Sequence, residues 1–261
     1  MQERHHNRKQ YFNELANTAR EYYLDYLRPY LPLTPFTRVL EIGCGDGGNL
    51  LPFAEAGCSV TGVDLSSGRI ADAQRFFAES GYEGTFLCQN FIQSEPPTDE
   101  DARYDLVLVH DVIEHIEPPY KQDFLAHIRP FLRRGGIVFF GFPAWQNPFG
   151  GHQQICAGFA SKLPYIHLLP LSMYTTLLEW SGASEKDINE LLSIRRARVP
   201  IESFEELAVG AGFSIKDRTL WLINPHYKQK FHLQPRRLWP FFADLTYVRN
   251  FYTTSAFYLL Q

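Results

Sequence analysis

The sequence predicts an α/β fold: a doubly wound, mostly parallel seven-stranded sheet with a helical, aromatic-rich cap inserted after the fifth strand. Three observations lead there. From Thr37 onward, short β-branched or apolar runs alternate with stretches of helical periodicity, the pattern of a parallel sheet covered by helices. A glycine-rich turn, Gly43-x-Gly45-x-x-Gly48, joins the first of these runs to the first helix, and its missing Cβ atoms let a ligand approach the backbone. Residues 142–200 then break the rhythm with a segment rich in Pro, aromatics and Leu, too long for an ordinary connection.

The elements follow in order. Residues 1–36 read as an N-terminal helical cap, because Tyr11, Phe12, Leu15, Tyr22, Tyr23, Tyr26 and Leu27 make an apolar helical segment that needs either the core or a bound cofactor beneath it. The ligand-binding core at 37–141 holds strands at 38–42, 59–64, 85–89, 105–110 and 136–141, with helices at 48–56, 67–80 and 120–132. Arg133-Arg134-Gly135-Gly136 stops the last helix and turns the chain. Residues 142–200 form the cap, placed beside the ligand because a connection leaving the fifth strand emerges at the C-terminal edge of the sheet. Residues 201–261 rejoin the sheet through an amphipathic helix at 201–213 and strands at 214–224 and 251–260.

Composition narrows the class. The chain of 261 residues is 45% hydrophobic and 21% charged, enough for one large domain with a real core. A net charge of -4 gives no global attraction to nucleic acid or to an anionic membrane, and leaves Arg195-Arg196-x-Arg198 as a local basic run. Four scattered cysteines without a C-x-x-C pair indicate neither a disulfide framework nor a zinc site. The first residues lack an apolar leader and no later run reaches the roughly 18 apolar residues of a membrane span, so the expectation is a cytoplasmic protein.

By itself the glycine turn suits either a dinucleotide pyrophosphate or a nucleoside without phosphate. Glu41, just before it, discriminates: a carboxylate there repels a pyrophosphate and attracts an ammonium or sulfonium. Asp64 ends the second strand, where a carboxylate accepts the hydroxyls of a ribose. Asn90 and Phe91 follow the third strand, with an amide and a ring suited to an adenine edge. His110 ends the fourth.

With these residues the sequence resembles the class I S-adenosylmethionine-dependent methyltransferases, whose core is Rossmann-like. Glu41-Ile-Gly-Cys-Gly-Asp-Gly-Gly48 looks like their first motif, Val63-Asp-Leu-Ser66 the second, Cys88-Gln-Asn-Phe91 the third and Tyr104 to Ile116 the fourth, the last similar to the ubiquinone-biosynthesis O-methyltransferase group. The resemblance covers residues 37–141 well and the C-terminal elements loosely. It implies S-adenosyl-L-methionine as cofactor and S-adenosyl-L-homocysteine as product, with Gly43 and Gly45 against the methionine part and Glu41 binding it. It further implies Asp64 on the ribose, Leu65 on the adenine face, Asn90 and Phe91 at its edge and His110 in the pocket wall. Asn90 stands where the family often has Asp.

Methyl transfer demands alignment of acceptor and methyl, and for a hydroxyl acceptor a base titrating near neutrality. Asp111 and His115, four apart, share a face if a helix begins at Asp111, and His115 is the first candidate base. His152, in a Gly150-Gly151-His152 loop with Trp145 and Phe149, is the second. Tyr165, His167, His226 and Tyr227 are further candidates for an acceptor pocket. Asp111, Glu114 and His115 could also hold a cation, but nothing local demands a metal. The resulting expectation is methylation of a small-molecule acceptor at oxygen, with a homodimer possible and no nucleic-acid partner. The rivals are a protein or nucleic-acid methyltransferase and a non-catalytic scaffold of the same fold.

Overall fold

A computed structural model describes residues 7–261, so residues 1–6 of the expected N-terminal cap lie outside the described residues. Five parallel strands form the heart of the sheet: β1 (Arg38–Ile42), β2 (Ser59–Asp64), β3 (Thr85–Cys88), β4 (Tyr104–His110) and β5 (Leu132–Phe142). Then come β6 (Ile215–Ile223), β7 (Arg236–Arg237) and β8 (Ser255–Leu260), in the order β3-β2-β1-β4-β5-β8-β6-β7. β8 runs antiparallel to both β5 and β6, and β7 antiparallel to β6. Chain order reverses between β1 and β4, which opens a ligand crevice at the C-terminal strand ends.

Alternate residues of the central strands feed two cores. Leu40, Val107, Val109, Val138 and Phe140 pack on the face covered by α5 (Pro118–Ile128) and α8 (Ile201–Gly210). Val39, Leu106, Leu108, Ile137 and Phe139 pack on the other face, beneath α1 (Arg8–Thr18), α2 (Leu24–Leu27), α3 (Leu51–Glu55) and α4 (Ser67–Glu79). A π-turn, Ala19–Tyr23, joins α1 to α2 and presses the buried Tyr23 ring against Phe139, centroids 5.0 Å apart. The segment 142–200 contains a third core of its own, in which Trp145, Ile166, Tyr174, Leu178 and Ile194 meet between 3₁₀ turns, α6 (Leu171–Trp180) and α7 (Glu185–Ala197). α9 (His226–Phe231) and α10 (Pro240–Asp244) complete the helices named here.

Three expectations need correction. The sheet has eight strands rather than seven: Arg236–Arg237 adds a two-residue edge strand, too short to leave a periodic signal. The 133–136 segment lies inside β5 rather than before it. Tyr104 and Leu106 of β4 face Leu132 and Ile137, so four residues bulge out, with Gly135 at φ +82° and the Arg134 amide held by Glu100. The last strand starts at Ser255, because a 3₁₀ turn, Val248–Phe251, occupies its expected beginning. Among the described residues no helix is long and apolar enough to cross a membrane.

Candidate functional site

The glycine turn follows β1 directly. Gly43 and Gly45 sit at φ +73° and +54°, and a Cβ on Gly43 would lie 2.5 Å from Val112 Cγ2, so both conformation and packing require glycine there. The backbone amide of Gly45 donates to Asp64 Oδ2 at 2.9 Å, while Ser66 N donates to Oδ1 at 2.8 Å. Asp64 thus ties the first turn to the second and does not cap α4. Ser66 does that, accepting from the Arg69 amide.

Glu41 points into the protein below this turn and is 1% exposed. Its Oε1 accepts from Asn49 Nδ2 at 2.7 Å, whereas Oε2 is buried without a partner. It bonds no backbone amide. Burial pushes its carboxyl up to about 8, against the opposing pull of Asn49 and His110. His110 ends β4, buried beside it: Nδ1 lies 3.3 Å from Asp111 Oδ2, and Nε2 is buried without a partner. Burial lowers this imidazole, but Asp111 and Glu41 together raise it above its ordinary value. Gly141 on β5 leaves room for the ring, since a Cβ there would stand 2.3 Å from His110 Cδ2.

Next to His110 the chain turns sharply. Asp111 takes φ +53°, so no helix starts there, and a 3₁₀ turn, Ile113–His115, follows. The turn sends Asp111 and His115 toward open space and buries Glu114, which has no hydrogen-bond partner on either oxygen and whose carboxyl burial raises strongly. The expected shared helix face is therefore replaced by a turn with the same outcome for Asp111 and His115. Glu114 leaves that set, and among the described residues no group of three His, Cys, Asp or Glu could hold a metal.

Asp111 and His115 line a cavity of about 330 Å³ together with His152, Phe149, Tyr11, Arg69, His226, Tyr227 and Lys230. Rings of His115 and His152 stand 5.4 Å apart at 75°. His152 adopts φ +57°, just after Gly151, where a Cβ would collide with His167 at 2.2 Å. Burial, reinforced by the neighbouring His115, lowers His152 to about 4, and burial lowers His115 too. Both rings are neutral at pH 7. For Asp111 the facing His110 overcomes the effect of burial and holds the carboxyl below its usual range.

The structure brings Asp111, His115, His152, His226, Tyr227 and Phe149 together and leaves the other candidates elsewhere. His167 is fully buried and bonds the Trp145 carbonyl at 2.8 Å, and Trp145 packs edge-on against it. Tyr165 stands apart from the cavity lining, its hydroxyl 3.5 Å from the Phe251 carbonyl. Phe91 is buried against Phe131, 4.7 Å between centroids, and Asn90 caps the turn that follows it by accepting from Ile92 N. Leu65, by contrast, is 74% exposed at the crevice. In the basic run near α7, Arg195 donates to the carbonyls of His167 and Leu169, and the exposed Arg196 meets Glu117. Sequence reasoning missed Asn49, the brace of Glu41, although it lies in the same motif. It also missed Arg69 and Lys230 as lining residues.

α1 closes over the turn. Arg8 pairs with Asp46 of the glycine loop and Asp72 of α4, each at 2.6 Å, and a Cβ on Gly48 would lie 2.6 Å from the Phe12 carbonyl oxygen. Phe12 is buried in the core, as core packing of this helix requires, and Tyr11 lines the cavity.

Comparison with known proteins agrees with this geometry. A family described as a methyltransferase domain matches residues 39–136. The ubiquinone biosynthesis O-methyltransferase of Pasteurella multocida (strain Pm70) is 28% identical over 110 residues, covering 40% of this chain and 45% of the relative. The malonyl-[acyl-carrier protein] O-methyltransferase of Enterobacter lignolyticus (strain SCF1) is 33% identical over 131 residues, covering 50% and 47%. The chain thus spans about half the length of the curated relatives it matches. Among solved structures, an S-adenosylmethionine-dependent methyltransferase from Clostridium acetobutylicum ATCC 824 superposes with a TM-score of 0.58 at 11% identity, over 94% of this chain and 91% of that one. Magnesium protoporphyrin IX methyltransferase from Synechocystis PCC 6803 with bound SAH gives 0.56 at 17% identity, over 95% and 82%. Motifs, sheet order and matches converge: residues 39–136 match a methyltransferase domain, and the chain has the fold of solved S-adenosylmethionine-dependent methyltransferases.

Proposed function

We propose that the protein transfers a methyl group from S-adenosylmethionine to an oxygen of a small-molecule acceptor bound in the cavity beside Asp111. The observation that carries this reading is the continuity of the two halves. Glu41 and His110 each hold a buried polar atom without a partner at the crevice, and His110 touches Asp111, which lines the cavity. Buried orphan atoms of this kind are costly unless a ligand bonds them. The residues present therefore fit the cofactor: Glu41 for the methionine ammonium, the Gly43–Gly45 backbone for close approach, Asp64 for the ribose and Leu65 for the adenine face.

Bound there, the cofactor supplies an electrophilic methyl on a sulfonium. The chain's own work is placement and proton handling. The cavity of about 330 Å³ is of metabolite size, and its lining mixes Tyr11, Phe149 and Tyr227 with polar groups that fix orientation. A hydroxyl acceptor must lose its proton, and a neutral imidazole on the cavity wall accepts it. His115 suits this task better than His152, whose value near 4 makes it a weak base and a better hydrogen-bond partner. Asp111, held ionised by His110, stabilises the imidazolium that forms. Residues 142–200 and α1 act as the cap that excludes water from this space. The O-methyltransferases among the relatives support oxygen as the receiving atom.

The test is a screen with methyl-labelled cofactor against hydroxyl- and carboxyl-bearing metabolites, alongside calorimetry with S-adenosylhomocysteine. Binding plus label in an oxygen-methylated small molecule is expected. Stabilisation by NAD and not by S-adenosylhomocysteine would sink the reading.

A further inference from the structure

The chain leaves the cavity wall at Lys230 and returns to it at Thr254, and the excursion between them is unusual in composition. Residues 225–252 carry five basic side chains, Lys228, Lys230, Arg236, Arg237 and Arg249, against one acidic, Asp244, in a chain whose net charge is -4. Lys228 pairs with Glu21, and Arg249 is buried against Glu202 and Glu205. Arg236 and Arg237 are exposed on the edge strand β7 and have no carboxylate partner among the described residues. The nearby Asp244 is turned toward Arg218 at 3.9 Å.

Beside these arginines the same excursion exposes large apolar rings. Trp239, Phe241 and Tyr247 are 68, 71 and 68% exposed. Phe242 joins Trp239 and Phe241 to Tyr252 in one patch: its ring centroid lies 6.2 Å from Trp239, 5.4 Å from Phe241 and 5.4 Å from Tyr252. A contiguous apolar patch of this kind marks a contact surface rather than ordinary surface. Trp and Tyr with flanking arginines are the side chains that settle at the boundary between lipid headgroups and acyl chains.

We propose that residues 231–252 form a peripheral docking surface for an anionic lipid bilayer, setting the mouth of the cavity at the membrane interface. Charge complementarity selects this occupant over a second copy of the chain. A two-fold dimer would place the patch against itself, bringing Arg236 and Arg237 of both copies together, whereas anionic headgroups attract them. The rings of Trp239 and Phe241 enter the acyl boundary while the two arginines remain at the headgroups. Docking of this kind, by a few rings and two arginines, is reversible and salt-sensitive.

The experiment is co-sedimentation of the full chain with phosphatidylcholine vesicles, pure or containing about one third phosphatidylglycerol. Partitioning onto the anionic vesicles should exceed that onto the neutral ones by about tenfold at low salt and fall at high salt. Arg236→Gln with Arg237→Gln should erase that difference. Trp239→Ser with Phe241→Ser should lower partitioning onto anionic vesicles about tenfold, with S-adenosylhomocysteine affinity and thermal unfolding as controls on folding. If the double variant is misfolded, Phe241→Ser alone serves. Absence of wild-type binding to anionic vesicles, or binding indifferent to these substitutions, overturns the proposal. So does a wild-type dimer in sedimentation velocity that the ring substitutions dissociate while vesicles bind neither form. Because these readouts need no methyl transfer, their failure leaves the enzymatic reading standing.

Discussion

Glu41→Gln separates what the site costs the fold from what it gives the ligand. In the folded protein the Glu41 carboxyl is raised to about 8 by burial, from an ordinary 4.5. Its stabilising contribution is therefore complete below pH 4.5 and is lost as pH rises through 8. At pH 7 the folded protein keeps this carboxyl protonated while the unfolded chain ionises it. At about 1.4 kcal/mol per pH unit the difference costs about 3 kcal/mol. Glutamine has no charge to lose, still accepts from Asn49 Nδ2 and can donate to the buried, partnerless Asn49 Oδ1. The variant should then unfold roughly 6–12 °C higher than wild type at pH 7 and within a degree or two at pH 4. It should bind S-adenosylhomocysteine about 10- to 100-fold more weakly, having lost the charge-assisted bond proposed for the ammonium. Calorimetry in buffers of different ionisation enthalpy should find up to one proton released on binding to wild type at pH 7 and none from this position in the variant. A variant no more stable than wild type at pH 7, or equally stabilised at pH 4, would refute the account of Glu41.

Other expectations follow from the same geometry. Asp64→Ala removes the acceptor of two backbone amides and the group proposed for the ribose, so S-adenosylhomocysteine binding should become undetectable by calorimetry; retained affinity would move the ribose elsewhere. His152→Ala should leave cofactor affinity intact and slow transfer, while equal turnover would reduce His152 to packing. Because His152 is held neutral with its value near 4, its contribution is present above pH 6.5 and lost as pH falls toward 4. Urea titrations should therefore show wild type losing about 2–3 kcal/mol more than this variant between pH 6.5 and 4.5. Gly48→Ala should destabilise by about 1–3 kcal/mol, since its Cβ would meet the Phe12 carbonyl oxygen at 2.6 Å and Leu15 Cβ at 2.8 Å; a neutral effect would mean that α1 is not clamped on the turn.

The sequence alone determined the parallel half of the sheet and the glycine turn that follows its first strand. Short β-branched or apolar runs placed β1 and β2 at their observed bounds, because both strands are buried on two faces and flanked by turn residues. The glycine turn, Glu41 and Asp64 were legible because close backbone approach and charge choice depend on residue type within a few positions. Tertiary structure alone decided which distant histidines share a cavity. His115, His152 and His226 come from three separate segments, and nothing local distinguishes them from His167, which is buried behind Trp145. It also decided that Asp111 and His115 face outward from a turn while Glu114 is buried, since a single residue at φ +53° redirects the chain. The two-residue strand Arg236–Arg237 was beyond pattern reading as well, because periodicity needs more residues than that edge supplies.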